Sequence, residues 1–299
     1  MEMILMGTGT SHGVPVIGCT CRVCRSISAR DKRSRCSAFV RSPAQIVIDT
    51  GPEFRVQALR YGIRSLDAVL ITHAHADHLH GLDDLRIFSH TKSSDCCAGN
   101  PRSMETQGNG LPVYANAPTL AHIRMAFDYI FRTVQLGGGK PKLDLVDCAA
   151  FSAGHPLVVG GLEIVPVPLL HGELQDSGWL LTESRAGLRH SIAYLTDCSL
   201  VPEDSLRLVR EQGGILEHLV IDGLRVKPHA THLSFEQALA VAERLGARHT
   251  WLTHITHDMS HRGIRRFVRG VLPGYPELQG IVRHGGSVGP AYDGLVLRA

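Results

Sequence analysis

Nowhere does the chain carry the uninterrupted apolar run of about 20 residues that a membrane-spanning helix needs. Its first residues also lack the charged-then-apolar pattern of a secretory leader, and Met1 to Gly7 reads instead as a core strand. These absences lead us to expect a cytoplasmic protein with no membrane partner, in which cysteines stay reduced. A strong charge of either sign is missing too. Lys and Arg number 31 and Asp and Glu 28, a formal net charge of +3. That balance does not demand a nucleic-acid partner and leaves one open. No tandem repeat stands out, which argues against a solenoid or propeller. No shift in composition divides the chain, so residues 1–299 are expected to form one domain.

What the chain has in surplus is histidine, with 18, and the surplus is clustered. Thr72-His73-Ala74-His75-Ala76-Asp77-His78 places three imidazoles and a carboxylate within six residues. These side chains hold zinc and similar divalent ions, and a hydrophobic core would not tolerate them without partners. The apolar run Ala68 to Ile71 before them reads as a buried strand, so the cluster lies where a strand ends and a loop begins. The same arrangement recurs three times. Apolar runs deliver His171 after Val165–Leu170, Asp197 after Ile192–Thr196 and His254 after His249–Thr253. His73, His75, Asp77, His78, His171, Asp197 and His254 make seven candidate ligands, more than one tetrahedral ion needs and suited to a dinuclear centre. Lone histidines such as His80, His90, His122, His155, His190 and His284 read as ordinary surface or satisfied residues.

Strands and helices alternate along the chain. Strands are expected over 45–49, 68–71, 161–169, 179–182, 191–196, 216–221 and 250–253, and helices over 52–61, 79–87, 118–131, 201–212 and 234–245. The last helix is the best signalled. Ser234 and Gln237 form a capping box, Phe235, Ala238, Leu239, Ala242 and Leu245 make its apolar stripe, and Gly246 ends it. Residues 89–110 read as a polar insertion, 137–141 as a flexible break, and the role of Cys96-Cys97 within the insertion is open. Two basic groups, Arg30/Lys32/Arg33/Arg35 and Arg262/Arg265/Arg266/Arg269, read as solvated faces.

The order His-x-His-x-Asp-His, a lone His, a lone Asp and a final His resembles that of the metallo-β-lactamase fold hydrolases over nearly the whole chain. The resemblance implies an α+β, four-layer αββα sandwich of two mixed β-sheets flanked by helices. It also implies that His73, His75, His171 and Asp197 hold one ion and that Asp77, His78, Asp197 and His254 hold the other. Asp49, ending an early strand, would then support the ligand loop from behind.

Cys19, Cys21 and Cys24 converge within six residues, a spacing that argues for metal rather than disulfides. A structural zinc wants a fourth ligand, and the sequence offers His257. Here the chain resembles the phosphoribosyl cyclic phosphodiesterases of phosphonate degradation. It shares Gly13-Val14-Pro15, Gly18-Cys19-Thr20-Cys21-Arg22-Val23-Cys24 and Leu252-Thr253-His254-Ile255-Thr256-His257 with that group. The resemblance implies a Cys3His zinc pinning an N-terminal loop at about residues 18–36. Cys36, Cys148 and Cys198 read as small core residues.

The expected cofactors are therefore two catalytic divalent metals, zinc or manganese, and one structural zinc. The expected reaction is hydrolysis of a small cyclic or nucleotide-like phosphodiester by a hydroxide that two ions activate, with Asp77 orienting it or taking its proton. His232 lies just before the capped helix, where the resembling phosphodiesterases and the ribonuclease Z group carry a histidine. It is the candidate proton donor to the leaving oxygen, with His229 as competitor. The alternatives are a ribonuclease Z-like nuclease and a non-catalytic metal-containing protein of cofactor biosynthesis. Such nucleases usually carry a long Gly/Pro-rich arm, and residues 137–141 are too short to be one. A homodimer is a further expectation from the resemblance.

Overall fold

A computed structural model of the chain describes residues 1–90, 110–132 and 139–299. The first half contributes strands β1 (Glu2–Gly7), β2 (Ser37–Ser42), β3 (Ile46–Ile48), β4 (Ala68–Leu70), β5 (Leu111–Ala115) and β6 (Leu143–Asp147). The second contributes β7 (Leu157–Val159), β8 (Leu162–His171), β9 (Leu174–Arg185), β10 (Leu188–Leu195), β11 (Ile215–Asp222), β12 (His249–Thr253), β13 (Ser287–Pro290) and β14 (Leu295–Arg298). They form two seven-stranded sheets, β14-β1-β2-β3-β4-β5-β6 and β13-β12-β11-β10-β9-β8-β7. In the first sheet β3 to β6 are parallel and the other pairs antiparallel. In the second, β10 to β13 are parallel and the other pairs antiparallel. The two halves thus repeat one topology, although no repeat is visible in the sequence.

Side-chain alternation along the strands sorts the apolar residues into three layers. Ile46, Ile48, Ala68, Leu70, Ile164, Trp179, Ile192, Tyr194 and Val220 meet between the sheets. The opposite faces of the same strands, such as Val47 and Val69, pack under helices α1 (Phe54–Tyr61) and α4 (Ala117–Ala126) with Phe54, Ala58 and Ile123. On the second sheet Val165, Val167, Ala193, Leu195 and Leu219 pack under α6 (Glu203–Gln212), α7 (Phe235–Leu245), α8 (His261–Val271) and α9 (Pro276–Arg283). The result is the four-layer αββα sandwich of two mixed sheets.

Several elements follow the pattern that the sequence predicts. Ser234 accepts from the Gln237 amide, Gln237 closes the capping box, and Gly246 ends α7 with a left-handed φ of 64°. Others differ for local reasons. The helix expected over 79–87 is broken into α2 (Ala76–Leu79), a 3-10 turn over Leu82–Leu85 and α3 (Arg86–His90). The break is at Gly81, whose amide donates to Thr50 O at 2.7 Å; a Cβ there would meet Gly51 O at 2.2 Å. The helix expected over 118–131 divides at Phe127 into α4 and α5 (Asp128–Phe131). The strand expected over 179–182 runs instead over Leu174–Arg185. Pro166 and Pro168 sit within β8, beyond the point where β7 pairs with it, so their missing donors face no ladder on that side. No helix among the described residues is long and apolar enough to cross a membrane. Cys96-Cys97 and nearly all of the polar insertion lie outside the described residues.

Candidate metal centre

Parallel strands end on one rim of the sandwich, and their carboxyl ends carry the polar cluster, as open parallel sheets commonly arrange chemistry. Asp49 follows β3, the His73–His78 run follows β4, Asp197 follows β10, Asp222 ends β11 and His254 follows β12. His171 ends β8 and approaches from the antiparallel side. Asp49, Asp197 and His254 hold φ of 62°, 53° and 58°, a region that non-glycine residues enter at a cost of about 1–3 kcal/mol each. Among the described residues, three of the four non-glycine residues with positive φ therefore lie at this rim. Gly51 lets the loop after β3 press against the ligand run: a Cβ there would fall 2.0 Å from Asp77 O.

The rim brings two adjacent groups together. His73, His75 and His171 form one, and Asp77, His78, Asp197 and His254 the other, each with its nitrogen or oxygen atoms within 4.8 Å of one another. Asp197 also lies in such a group with His171 and His232, so its carboxylate stands between the two. The Asp197 oxygens lie 3.1 Å from His78 Nε2 and 3.1 Å from His254 Nε2. Asp77 Oδ2 lies 3.3 Å from the first of these nitrogens and 3.5 Å from the second. His75 stands exposed at the mouth, while the other six are buried.

The nitrogens facing inward are orphaned. His73 Nε2, His78 Nε2 and His254 Nε2 are buried without a hydrogen-bond partner. Two of the outward nitrogens are tied down, whereas His254 Nδ1 is buried with no partner. His78 Nδ1 lies 2.7 Å from Asp49 Oδ2, and His171 Nδ1 2.7 Å from the Thr231 carbonyl. Asp49 also accepts from the Thr72 amide and hydroxyl. Rings held by the far nitrogen, with the near nitrogen bare, fit a metal site. The electrostatics agree with that fit. Burial opposes a charge on His78, but Asp197, Asp49 and Asp77 together hold its pKa well above the usual imidazole value. Burial likewise opposes the Asp77 charge, and His78 and His254 override it, holding the carboxyl well below its usual range. The cluster is thus rich enough in carboxylate to demand a cation, whether a proton or a metal.

His232 stands over this rim. Its ring stacks on His254 at 4.7 Å between centroids and meets His171 edge-on at 4.6 Å. Its Nδ1 lies 2.9 Å from Asp222 Oδ2, and burial lowers its pKa. His229 is exposed, and its Nδ1 accepts from the Thr231 amide at 3.3 Å. Asp222 is a residue that the sequence analysis missed, though the signal was present: like Asp49 and Asp197, it ends an apolar strand. Asp176 was missed as well. It is fully buried, its Oδ1 lies 3.9 Å from His73 Nδ1, and burial pushes its carboxyl well above the usual range. It lies inside β9, where nothing in the pattern marks it.

A second cluster joins the N-terminal loop to the segment after His254. Cys19 Sγ, Cys21 Sγ and Cys24 Sγ each lie 3.4 Å from His257 Nδ1. A tetrahedral zinc with Zn–S of about 2.3 Å and Zn–N of about 2.0 Å would separate sulfur from nitrogen by about 3.5 Å. The Cys24 amide and His257 pull the Cys21 thiol down to about 6, while burial pushes that of Cys24 up to about 11.

Residues 44–255 match the beta-lactamase superfamily domain. The chain belongs to the beta-lactamase superfamily. A solved structure of a diphosphatase from the PhnP family is 33% identical, with a TM-score of 0.76 over 100% of this chain and 97% of that one. The short form of human tRNase Z shares the fold at 17% identity and a TM-score of 0.60, over 100% of this chain and 99% of that one. An octanoyltransferase of Porphyromonas gingivalis is 34% identical over 290 residues, 94% of this chain and 52% of that protein. The chain therefore spans about half the length of this curated relative.

Membership in the superfamily implies divalent metal ions, and both clusters fit them by the orphaned nitrogens and the sulfur–nitrogen distances just described. Among the described residues, other histidines and cysteines make no part of either ligand group. His80, His155 and His284 are exposed, and His190 pairs with Glu217 at 3.0 Å. Cys36, Cys148 and Cys198 are buried core residues, with the first two thiols pushed up by burial to about 12 and about 11.

Proposed function

We propose that this beta-lactamase superfamily hydrolase is a metal-dependent phosphodiesterase acting on a small cyclic or nucleotide-like diester. The observation that carries the reading is the meeting of two ligand groups at Asp197, with His232 stacked over them and backed by Asp222. His73, His75, His171 and Asp197 would hold one ion and Asp77, His78, Asp197 and His254 the other, zinc or manganese. Two such ions, when bound, lower the pKa of an attacking water and draw negative charge off phosphoryl oxygens.

The chain's own residues supply the rest. Asp77, kept deprotonated by His78 and His254, takes or orients the proton of the attacking water. His232 gives its Nδ1–H to Asp222, and when the ring takes up a second proton, on Nε2, that proton passes to the leaving oxygen and the ring returns to neutral. Asp49 holds His78 in the tautomer with Nε2 bare. Cys19, Cys21, Cys24 and His257 would hold a structural zinc.

Turnover of bis(p-nitrophenyl) phosphate, with zinc or manganese supplied and lost in Asp77→Ala, tests the reading. No turnover with either metal would sink it. A second reading has its own support: the PhnP-family relative is a diphosphatase, so the bond cleaved could be a P–O–P anhydride. Parallel assays of cyclic ribose phosphates, cyclic nucleotides, dinucleoside diphosphates and pre-tRNA decide between diester, anhydride and nuclease. Inactivity toward all four, with metals bound, would leave the non-catalytic binding protein. The transferase activity of the octanoyltransferase is a property of a protein twice this length and carries no step here.

A further inference from the structure

One arginine from the first basic group and two from the second, which the sequence presents as solvated faces, meet in space. A cavity of about 480 Å³ opens between the cysteine-rich loop and the start of α8. Arg22 and Arg30 line it from the loop side, and His261, Arg262 and Arg265 from the helix. Most of the first basic group is engaged elsewhere. The Lys32 ammonium donates to Cys24 O, Arg33 is buried against Thr8 and Ala291, and Arg35 bonds Ser11 and Glu53. Arg30 alone faces the cavity, held over the Tyr292 ring at 4.7 Å.

Four arginines therefore line one space, and among the described residues none of the four forms an ion pair. The one carboxylate in the lining, Asp31, is already committed. It is buried, takes the His261 amide at 2.7 Å and accepts from the Ser26 hydroxyl at 2.7 Å. His261 is 7% exposed, and its Nδ1 is buried with no partner. Burial, with Arg33, Arg30 and Arg265 nearby, pulls its pKa down to about 4, so near neutral pH it is an uncharged ring with an unmet polar atom. Like charges gathered around a cavity repel unless an anion sits among them, and guanidinium groups match phosphoryl oxygens in fork geometry.

We infer that this cleft is a binding site for a phosphoryl group, formed by Arg22, Arg30, Arg262 and Arg265 with His261 at its floor. It shares no residue with the histidine–aspartate rim and does not rest on the phosphodiesterase reading. The phosphoryl group can belong to a free small phosphate or to a single-stranded polynucleotide backbone, since both present the same oxygens.

The test compares the metal-loaded protein with its Arg262→Ala/Arg265→Ala variant. Both side chains are exposed on α8, so the fold should survive, and an unchanged thermal midpoint confirms it. Calorimetric titration with pyrophosphate should show two binding events in the parent protein and one in the variant, with the lost event weakened at least tenfold. Titrating a labelled pentaribonucleotide in parallel identifies the source. A loss confined to pyrophosphate marks a small-molecule site, and a loss with both probes marks a backbone site with a reduced salt slope. Arg283→Ala, far along the chain on α9, should behave as the parent. Identical stoichiometry and affinity for both probes in parent and double variant would overturn the inference, whatever the turnover of bis(p-nitrophenyl) phosphate.

Discussion

At the scale of single residues, two carboxylates fasten histidines of the centre from behind. Asp49 and Asp222 are carboxylates at strand ends, each fully buried and each fastened to the outward nitrogen of a histidine. Removing such a partner typically costs about 10- to 100-fold in metal affinity or activity. Asp49→Ala should therefore weaken metal retention, measured by dialysis against a chelator followed by elemental analysis. Asp222→Asn should leave metal content intact, lower kcat by about tenfold or more and shift the limb of the pH–rate profile that belongs to His232. His232→Ala should do the same to kcat, and loss of metals with it would instead make His232 a ligand. Both aspartates resemble Asp197 in the sequence, a carboxylate after an apolar run. Which of the three faces a metal and which stands behind a histidine depends on neighbours far along the chain.

At the scale of elements, α7 shows how local signals position chemistry. Its capping box begins two residues after His232, so the start of the helix sets where that imidazole stands. Ser234→Ala removes the cap and should cost about 1 kcal/mol in stability, measured by urea unfolding. It should also lower kcat as the loop before the helix loosens. The cysteine-rich loop is the second such element. Cys21→Ser should lower the thermal midpoint by several degrees while turnover at low temperature stays near the parent value, and an unchanged midpoint would contradict a bound structural metal. The sequence predicts α7 well because its cap, stripe and stop lie within one helix. It predicts 79–87 poorly because Gly81 is placed by Thr50, a contact between segments about 30 residues apart.

For the whole molecule, charge and burial set how stability responds to acid. His218 donates Nε2–H to Arg298 O and accepts the Trp251 indole N–H at Nδ1, so the neutral ring is fully used. Burial pulls its pKa down to about 4, and that of His261 likewise. The folded pKa values lie below the unfolded value near 6.5, so the unfolded chain binds more protons between them. Stability should hold above about pH 6.5 and fall steadily as pH drops toward 4. Urea midpoints followed by tryptophan fluorescence check this, and His218→Gln should flatten the slope. An equal slope would show that His218 keeps no neutral-state advantage. Purified protein should carry about three metals per chain, two exchangeable and one tightly held, by elemental analysis.

The sequence by itself determined the chemistry on offer. Ligand types, their order and the strands that deliver them are local facts, because a strand of apolar residues ending in His or Asp needs no distant contact to be read. Two layered sheets also followed, through the resemblance those motifs carried. The resemblance also implied that Asp197 is shared between two ligand groups, but only the tertiary structure decided which further residues back them. The parallel strands of two different sheets end on one rim, which places Asp222 behind His232 and Asp176 near His73. The same packing brings Arg22 and Arg30 to one cleft with Arg262 and Arg265, more than 200 residues away in the chain. Juxtaposition across a sandwich is a property of how sheets stack, and no short stretch of sequence contains it.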